Sequence, residues 1–249
     1  MPTAKEKNSV TRTGDGAGGT PAARRRKPST VGEAATAGPV RGYTKLSNAA
    51  KAFHYNFDGK VVLDIGSSTG GFTEYALEKG AKKVIAVEKG TNQMLPRIRN
   101  NPRVELHEKT DIFDVVLGTG DRNVFASDHK LGRTALSVSE KNTFGQDPFP
   151  DIILADVSFI SLTKILNHAK TNLASKNTEF LVMLKPQFEA DEKQLHSGIV
   201  KNETIRRNII KNFEQWLKQN GFIILKKKDN ELKGKNGNLE RFYYLTLEK

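Results

Sequence analysis

Leu63-Asp64-Ile65-Gly66-Ser67-Ser68-Thr69-Gly70-Gly71-Phe72 is the stretch whose reading decides the fold. With Val61 and Val62 before it, a short apolar run ends in glycine, as a buried parallel strand does. The chain turns through glycines and enters a helical pattern, Phe72 to Lys79, that stops at Gly80. In doubly wound sheets a ligand sits beyond the carboxyl ends of the strands. Glycine at that point lets the backbone approach the ligand with no Cβ in the way. The glycines fall at 66, 70 and 71, and position 68 is serine, so the spacing is not G-x-G-x-x-G. That departs from a dinucleotide site, where a pyrophosphate rests on a helix N-terminus. S-adenosylmethionine, which carries an amino-acid moiety and a sulfonium instead, is the better match.

Working outward, strands are expected at Val84–Val87, Val104–His107, Ile152–Ala155, Glu179–Leu184, Phe222–Leu225 and Phe242–Leu247. Helices are expected at Asn92–Asn100, Leu162–Leu173 and Glu203–Gln219, with an amphipathic segment, Lys45–Phe53, ahead of the first strand. Such alternation predicts an α/β fold with a parallel, doubly wound sheet. The last two strands are joined without a helical pattern, so they pair antiparallel or lie apart. The expected architecture is a Rossmann-like methyltransferase, a mostly parallel seven-stranded sheet with one antiparallel strand. Residues 115–150 read as irregular, and segments of that length are functional or disordered. A surface excursion near the substrate-facing rim is expected there.

Acids stand at successive strand ends. Asp64 is placed to meet the cofactor's ammonium group. Glu88, about 20 residues beyond the glycine loop, suits ribose hydroxyls. Asp111, just after the third strand, suits the adenine amino group. Each alone is an ordinary strand-end or surface carboxylate; together they point to a cofactor crevice. The expected cradle is Asp64, Gly66, Ser67, Ser68, Thr69, Gly70, Gly71, Phe72, Glu88, Asp111 and Asp156. Two later strands end in Asp156-Val157-Ser158-Phe159-Ile160-Ser161 and Lys185-Pro186-Gln187-Phe188-Glu189. A lysine closing a buried strand is costly unless paired or used, and Asp156 on the neighbouring strand compensates it. A plain structural ion pair is the competing interpretation.

The glycine-loop phrase, the Asp156 phrase and the Lys185 phrase together resemble the TlyA family, named for haemolysin annotation and similar in fold to FtsJ-like RNA 2′-O-methyltransferases. The resemblance spans about Arg41 to Leu247. It implies ribose 2′-O-methylation of RNA, ribosomal RNA or ribosomal subunits foremost, from S-adenosylmethionine. It further implies a Lys-Asp-Lys-Glu catalytic tetrad on Lys45, Asp156, Lys185 and Glu240. In that tetrad Lys185, kept neutral by burial and by Lys45 nearby, takes the hydroxyl proton. Asp156 and Glu240 orient the lysines. Family members usually begin with an S4-type RNA-binding module, for which this sequence has a basic stretch instead. Arg41-Gly42-Tyr43-Thr44 also departs from the Ser-Arg-Gly-Gly expected ahead of the lysine.

Composition agrees. The formal charge of +12 favours polyanions, nucleic acid first. Residues 1–39, rich in Gly, Ala, Thr and Pro and carrying Arg24-Arg25-Arg26-Lys27, read as a disordered basic tail. Residues 40–249 form the methyltransferase domain. With no cysteine in the sequence, disulfides, zinc ribbons and thiol nucleophiles are excluded. No metal is expected, and no stretch reaches the ~18 apolar residues of a membrane span. A reducing cytoplasm fits. Two other functions compete: an N-methyltransferase acting on a base or amine, and a haemolysin-like or RNA-binding protein on a methyltransferase scaffold. Against the first, Asp156-Val157-Ser158-Phe159 lacks the paired prolines such enzymes carry after the fourth strand.

Overall fold

The computed structural model describes residues 40–117, 134–136, 149–234 and 236–249. The expected tail and most of the 118–148 segment lie outside the described residues. In chain order the elements are α1 (Arg41–Phe53), β1 (Val61–Ile65), α2 (Gly71–Glu78), β2 (Lys83–Val87), α3 (Pro96–Arg99), β3 (Val104–His107), β4 (Val115–Leu117), β5 (Thr134–Leu136), β6 (Ile152–Ala155), α4 (Leu162–Asn172), β7 (Glu179–Leu184), α5 (Glu203–Gln219), β8 (Phe222–Asp229) and β9 (Arg241–Leu247).

Seven strands form one sheet in the order β3-β2-β1-β6-β7-β9-β8. β1, β2, β3, β6 and β7 run parallel. β9 pairs antiparallel with both β7 and β8, so it alone is reversed. The order reverses at β1 and β6, which makes the crevice above them the switch point.

Strand side chains alternate between the two faces. Val61, Leu63 and Ile65 join Leu162, Ile165, Phe213 and Leu217 of α4 and α5 in one core. Val62, Ile152, Leu154, Leu181, Met183 and Phe242 join Leu46, Ala50, Phe72 and Ala76 of α1 and α2 in the other. The same parity has a consequence beyond packing. Asp64, Asp156, Lys185 and Glu240 each lie two residues from a member of the second set, so all four belong to the α1–α2 face.

Three expectations need correction. The helix expected over Asn92–Asn100 is only Pro96–Arg99. Asn92 is left-handed (φ 53°), and Leu95 is extended, as a residue before proline prefers. Pro96, lacking an N–H, opens the helix rather than interrupting it. β8 runs on to Asp229 through Lys226, Lys227 and Lys228, past the expected end at Leu225. Its lysines sit on an edge strand and are bound by the Phe53 carbonyl, Glu214 and Glu231. The segment read as irregular contains β4 and β5, which pair in parallel as a separate two-stranded sheet. Among the described residues no helix is long and apolar enough to cross a membrane.

Candidate active site

Beyond the carboxyl ends of β1, β2 and β6 lies a cavity of about 540 Å³, within the usual range for small-molecule sites. Gly66, Ser68, Glu88, Asp111 and Asp156 line it, with Val87, Ile112, Val157 and Ile165 as apolar wall. Gly66 has φ 78°, and a Cβ there would press on the Asp156 carbonyl and Val157 at 3.4 Å. Ser68, also left-handed at φ 48°, donates its N–H to Glu88 Oε2 at 2.8 Å. The Gly90 N–H reaches Glu88 Oε1 at 2.7 Å. A carboxylate offers roughly four acceptor positions, so Glu88 keeps capacity for a ligand hydroxyl. Asp111 accepts from Lys89 Nζ at 2.8 Å and from the Phe113 N–H at 3.2 Å. The lysine bond holds its pKa below the ordinary aspartate value.

The other loop residues do not touch that cavity. Asp64 points behind it, where its Oδ2 accepts from Thr73 Oγ1 at 2.6 Å. Asp64 Oδ1 and Ser67 Oγ are buried without a partner among the described residues. Burial pushes the Asp64 pKa up to about 7, against the Thr73 hydrogen bond that favours the charged form. Thr69 uses its carbonyl to receive the Leu95 N–H at 3.3 Å. A Cβ on Gly70 would lie 2.8 Å from Ile98 Cδ1, and one on Gly71 2.5 Å from the Tyr43 nitrogen. Phe72 stacks on Phe242 in the core. These positions let α2, α3 and α1 close behind the loop.

Two lysine–carboxylate pairs stand at the carboxyl ends of the strands, and Asp156 of one of them lines the cavity. Lys45 belongs to the inward stripe of α1 that includes Leu46, Ala49, Ala50 and Phe53. Its Nζ lies 2.6 Å from Glu240 Oε2, with relative exposures of 6% for the lysine and 2% for the glutamate. Gly234 makes room for that carboxylate, since a Cβ there would come within 2.8 Å of Glu240 Oε1. Lys185 Nζ lies 2.6 Å from Asp156 Oδ1 and donates to Ser158 Oγ at 2.9 Å. The β7–β9 register pairs Leu184 with Arg241, and one step further Lys185 faces Glu240. Two pairs from α1, β6, β7 and β9 thus converge on one sheet edge.

A family model described as FtsJ-like methyltransferase matches residues 39–247. Hemolysin A of Brachyspira hyodysenteriae is 34% identical over 205 residues, 82% of this chain and 74% of that protein. The chain belongs to the FtsJ-like methyltransferase family. Among its FtsJ-like relatives is the 23S rRNA (cytidine-2′-O)-methyltransferase TlyA of Campylobacter jejuni, 32% identical over 82% of this chain and 69% of that one. A Lactococcus lactis structure described as a candidate hemolysin superposes with a TM-score of 0.68 at 34% identity, covering 83% of this chain and 86% of the other. The resemblance to the TlyA family therefore holds, and the chain is a methyltransferase with the Rossmann-like fold of its FtsJ-like family.

Several residues at this FtsJ-like site had no role assigned from sequence. Thr73 holds Asp64, and Ser158 holds Lys185. Phe159 is 91% exposed with φ 63° and leans on Phe188 at 5.2 Å. Glu189 accepts from Ser161 and Leu162. Ser158, Phe159 and Glu189 lie inside the two motifs, which was the available signal; their partners across the loops left none.

Proposed function

We propose that this chain transfers a methyl group from S-adenosylmethionine to ribose 2′-hydroxyls of RNA, with ribosomal RNA as acceptor. The observation that carries this reading is the pair of lysine–carboxylate contacts at one sheet edge, Lys185–Asp156 and Lys45–Glu240. The Campylobacter jejuni relative, a 23S rRNA (cytidine-2′-O)-methyltransferase by name, supports the acceptor and the position.

The residues fit the cofactor. The cavity has apolar walls for a purine and acids, Glu88 and Asp111, for hydroxyls and an amino group. Gly66 leaves backbone open to it, and the unpartnered Asp64 Oδ1 suits a cationic amino group close by. When bound, S-adenosylmethionine supplies an electrophilic methyl on a sulfonium. The chain's own task is to position the hydroxyl and remove its proton. A ribose hydroxyl is a weak nucleophile, and positioning supplies much of the remaining acceleration. Lys185 Nζ takes that proton, with Asp156 Oδ1 stabilising the resulting ammonium. Ser158 Oγ fixes the direction of the amine. Glu240 holds Lys45 in place beside them.

The test is transfer of a tritiated methyl group to total RNA and to both ribosomal subunits, with label mapped by resistance to alkaline cleavage. Alkali-resistant label that is lost in Lys185→Ala, with cofactor binding retained, is the expected result. Label in alkali-sensitive nucleotides points to base methylation and overturns the reading, as does full activity in Lys185→Ala.

A further inference from the structure

We propose that Glu189 is a positioning residue, a clamp that holds the two loops carrying Asp156 and Lys185 in the register their chemistry requires. The inference rests on the ribose-methylation reading, to which it adds a residue that touches neither acceptor nor cofactor cavity.

The two loops have little structure of their own to hold them together. The segment 156–161 between β6 and α4 is neither helix nor strand, and Phe159 within it is left-handed, a costly state for an aromatic residue. The partner loop leaves β7 at Lys185 and tightens into a 3₁₀ turn, Pro186–Phe188. Within that turn the Phe188 N–H bonds the Lys185 carbonyl at 2.9 Å, and the Glu189 N–H bonds the Pro186 carbonyl at 3.1 Å. Lys185 and Glu189 are therefore the two ends of one short, hydrogen-bonded unit. A displacement of one end is passed to the other.

Glu189 ties that unit across to the opposite loop with both of its oxygens. Its Oε2 accepts from Ser161 Oγ at 2.6 Å, and its Oε1 accepts from the Leu162 N–H at 2.6 Å. Ser161 is the N-cap of α4 and receives the Thr163 N–H at 3.2 Å. The Leu162 N–H is one of the donors a helix leaves unsatisfied at its start. A carboxylate suits both the donors and the positive end of the helix dipole. Burial raises the Glu189 pKa, opposed by these two donors. Such a group is retained at a cost, which a purely solvating glutamate does not bear.

The clamp closes a ladder of contacts between the same two loops. Lys185 meets Asp156 and Ser158, Phe188 meets Phe159, and Glu189 meets Ser161 and Leu162. The first rung belongs to the proposed chemistry. The last is the only one of the three in which a half-buried carboxylate serves a helix start, and it fixes where α4 begins relative to Lys185. A misplacement of reacting groups near 1 Å can cost about 100-fold in rate.

The experiment compares Glu189→Ala, Glu189→Gln, Ser161→Ala and the Glu189→Ala/Ser161→Ala double variant in the methyl-transfer assay. Backbone hydrogen exchange is followed over 156–165 in parallel. Expected are a fall in kcat of about 10–100-fold for Glu189→Ala with the cofactor KM within about threefold. Partial recovery is expected in Glu189→Gln, whose amide oxygen still accepts one bond. The double variant should lose less than the product of the two single losses, because the Glu189–Ser161 bond is shared while Ser161 also caps α4. Exchange should quicken in 156–165 and stay unchanged in β1 and β2. Wild-type kcat in Glu189→Ala, a loss that merely tracks the folded fraction, or unchanged exchange at Leu162 overturns the clamp. If the wild-type protein methylates no RNA, the reaction reading fails by itself, and the exchange data still decide the clamp: local quickening supports it, its absence does not.

Discussion

The two ends of the sheet bury similar chemistry and treat it differently. At the amino ends of the strands, Glu179 accepts from Tyr55 at 2.8 Å and from Lys60 at 3.2 Å, and also from Tyr244. Asp151 accepts the Val61 N–H at 2.8 Å, and Thr178 donates to the Pro150 carbonyl at 2.8 Å. Burial and the Glu179 charge drive the Tyr55 and Tyr244 pKa values up, so both phenols stay neutral. At the carboxyl ends, Asp64 Oδ1 and Ser67 Oγ are buried without partners among the described residues. Ser68 and Phe159 are left-handed there, and two lysines are held under cover. Unpaired buried groups and strained backbone lower stability. Among the described residues the amino end of the sheet is satisfied; the carboxyl end carries the cost, and the proposed chemistry sits there.

The sharpest way to break that comparison is to exchange the expected effects of mutation. Lys185→Ala at the upper end should lower kcat about 10²–10⁴-fold, with the cofactor dissociation constant close to wild type by calorimetry. Glu179→Ala at the lower end should do the reverse. It orphans Tyr55 and Tyr244, so chemical denaturation should show a loss of about 2–3 kcal/mol while kcat of the folded protein is unchanged. A loss of activity from Glu179→Ala at full folding would erase the distinction.

Gly71→Ala probes the seam where α2 meets α1. Its Cβ would lie 2.5 Å from the Tyr43 nitrogen and 2.8 Å from Gly42 Cα, both backbone atoms. Overpacking of this kind costs about 1–3 kcal/mol, and the displaced helix is the one that carries Lys45. Melting temperature and kcat should therefore fall together in this variant, unlike in either of the first two.

The smallest expected effect is on pH dependence. The Asp64 pKa is raised to about 7 in the folded protein, above an unfolded value near 3.9. Between those values the folded state binds the extra proton, so stability falls as pH rises from about 4 through 7. In the protein without cofactor, Asp64→Asn should flatten that slope and make the variant relatively more stable at pH 8 than at pH 5. A slope unchanged by the substitution would remove Asp64 from the costly end.

Much of this contrast was legible in the sequence because the central strands are buried on both faces. Val61–Ile65, Ile152–Ala155 and Glu179–Leu184 are apolar runs closed by a charge or glycine, and their observed limits coincide with the expected ones. Strand parity then carries Asp64, Asp156, Lys185 and Glu240 to one face. Edges were harder to read. The lysines of β8 look like a solvated loop until Glu214 and Glu231 are known to meet them. Pro96 fits either a helix start or a kink from sequence alone, and the extended Leu95 before it decides for the start. The lower network escaped notice altogether: Tyr55, Glu179 and Tyr244 are far apart in sequence, and they meet only when β7 pairs with β9 and the segment after α1 packs beside them. Glu189 and Ser161 were written within the motifs, but nothing local says that they touch.

β9 is the last strand of the sheet to be synthesised, yet it is inserted between β7 and β8 rather than added at the rim. Until it emerges from the ribosome, β8 has no strand to pair with, β7 has one bare flank, and Lys45 has no counter-charge, because Glu240 travels just ahead of β9. A polypeptide interrupted before that point exposes a sticky sheet margin and lacks one of the four charged groups. The Lys45–Glu240 pair and the closing of the sheet are thus completed together, late in the synthesis of the chain.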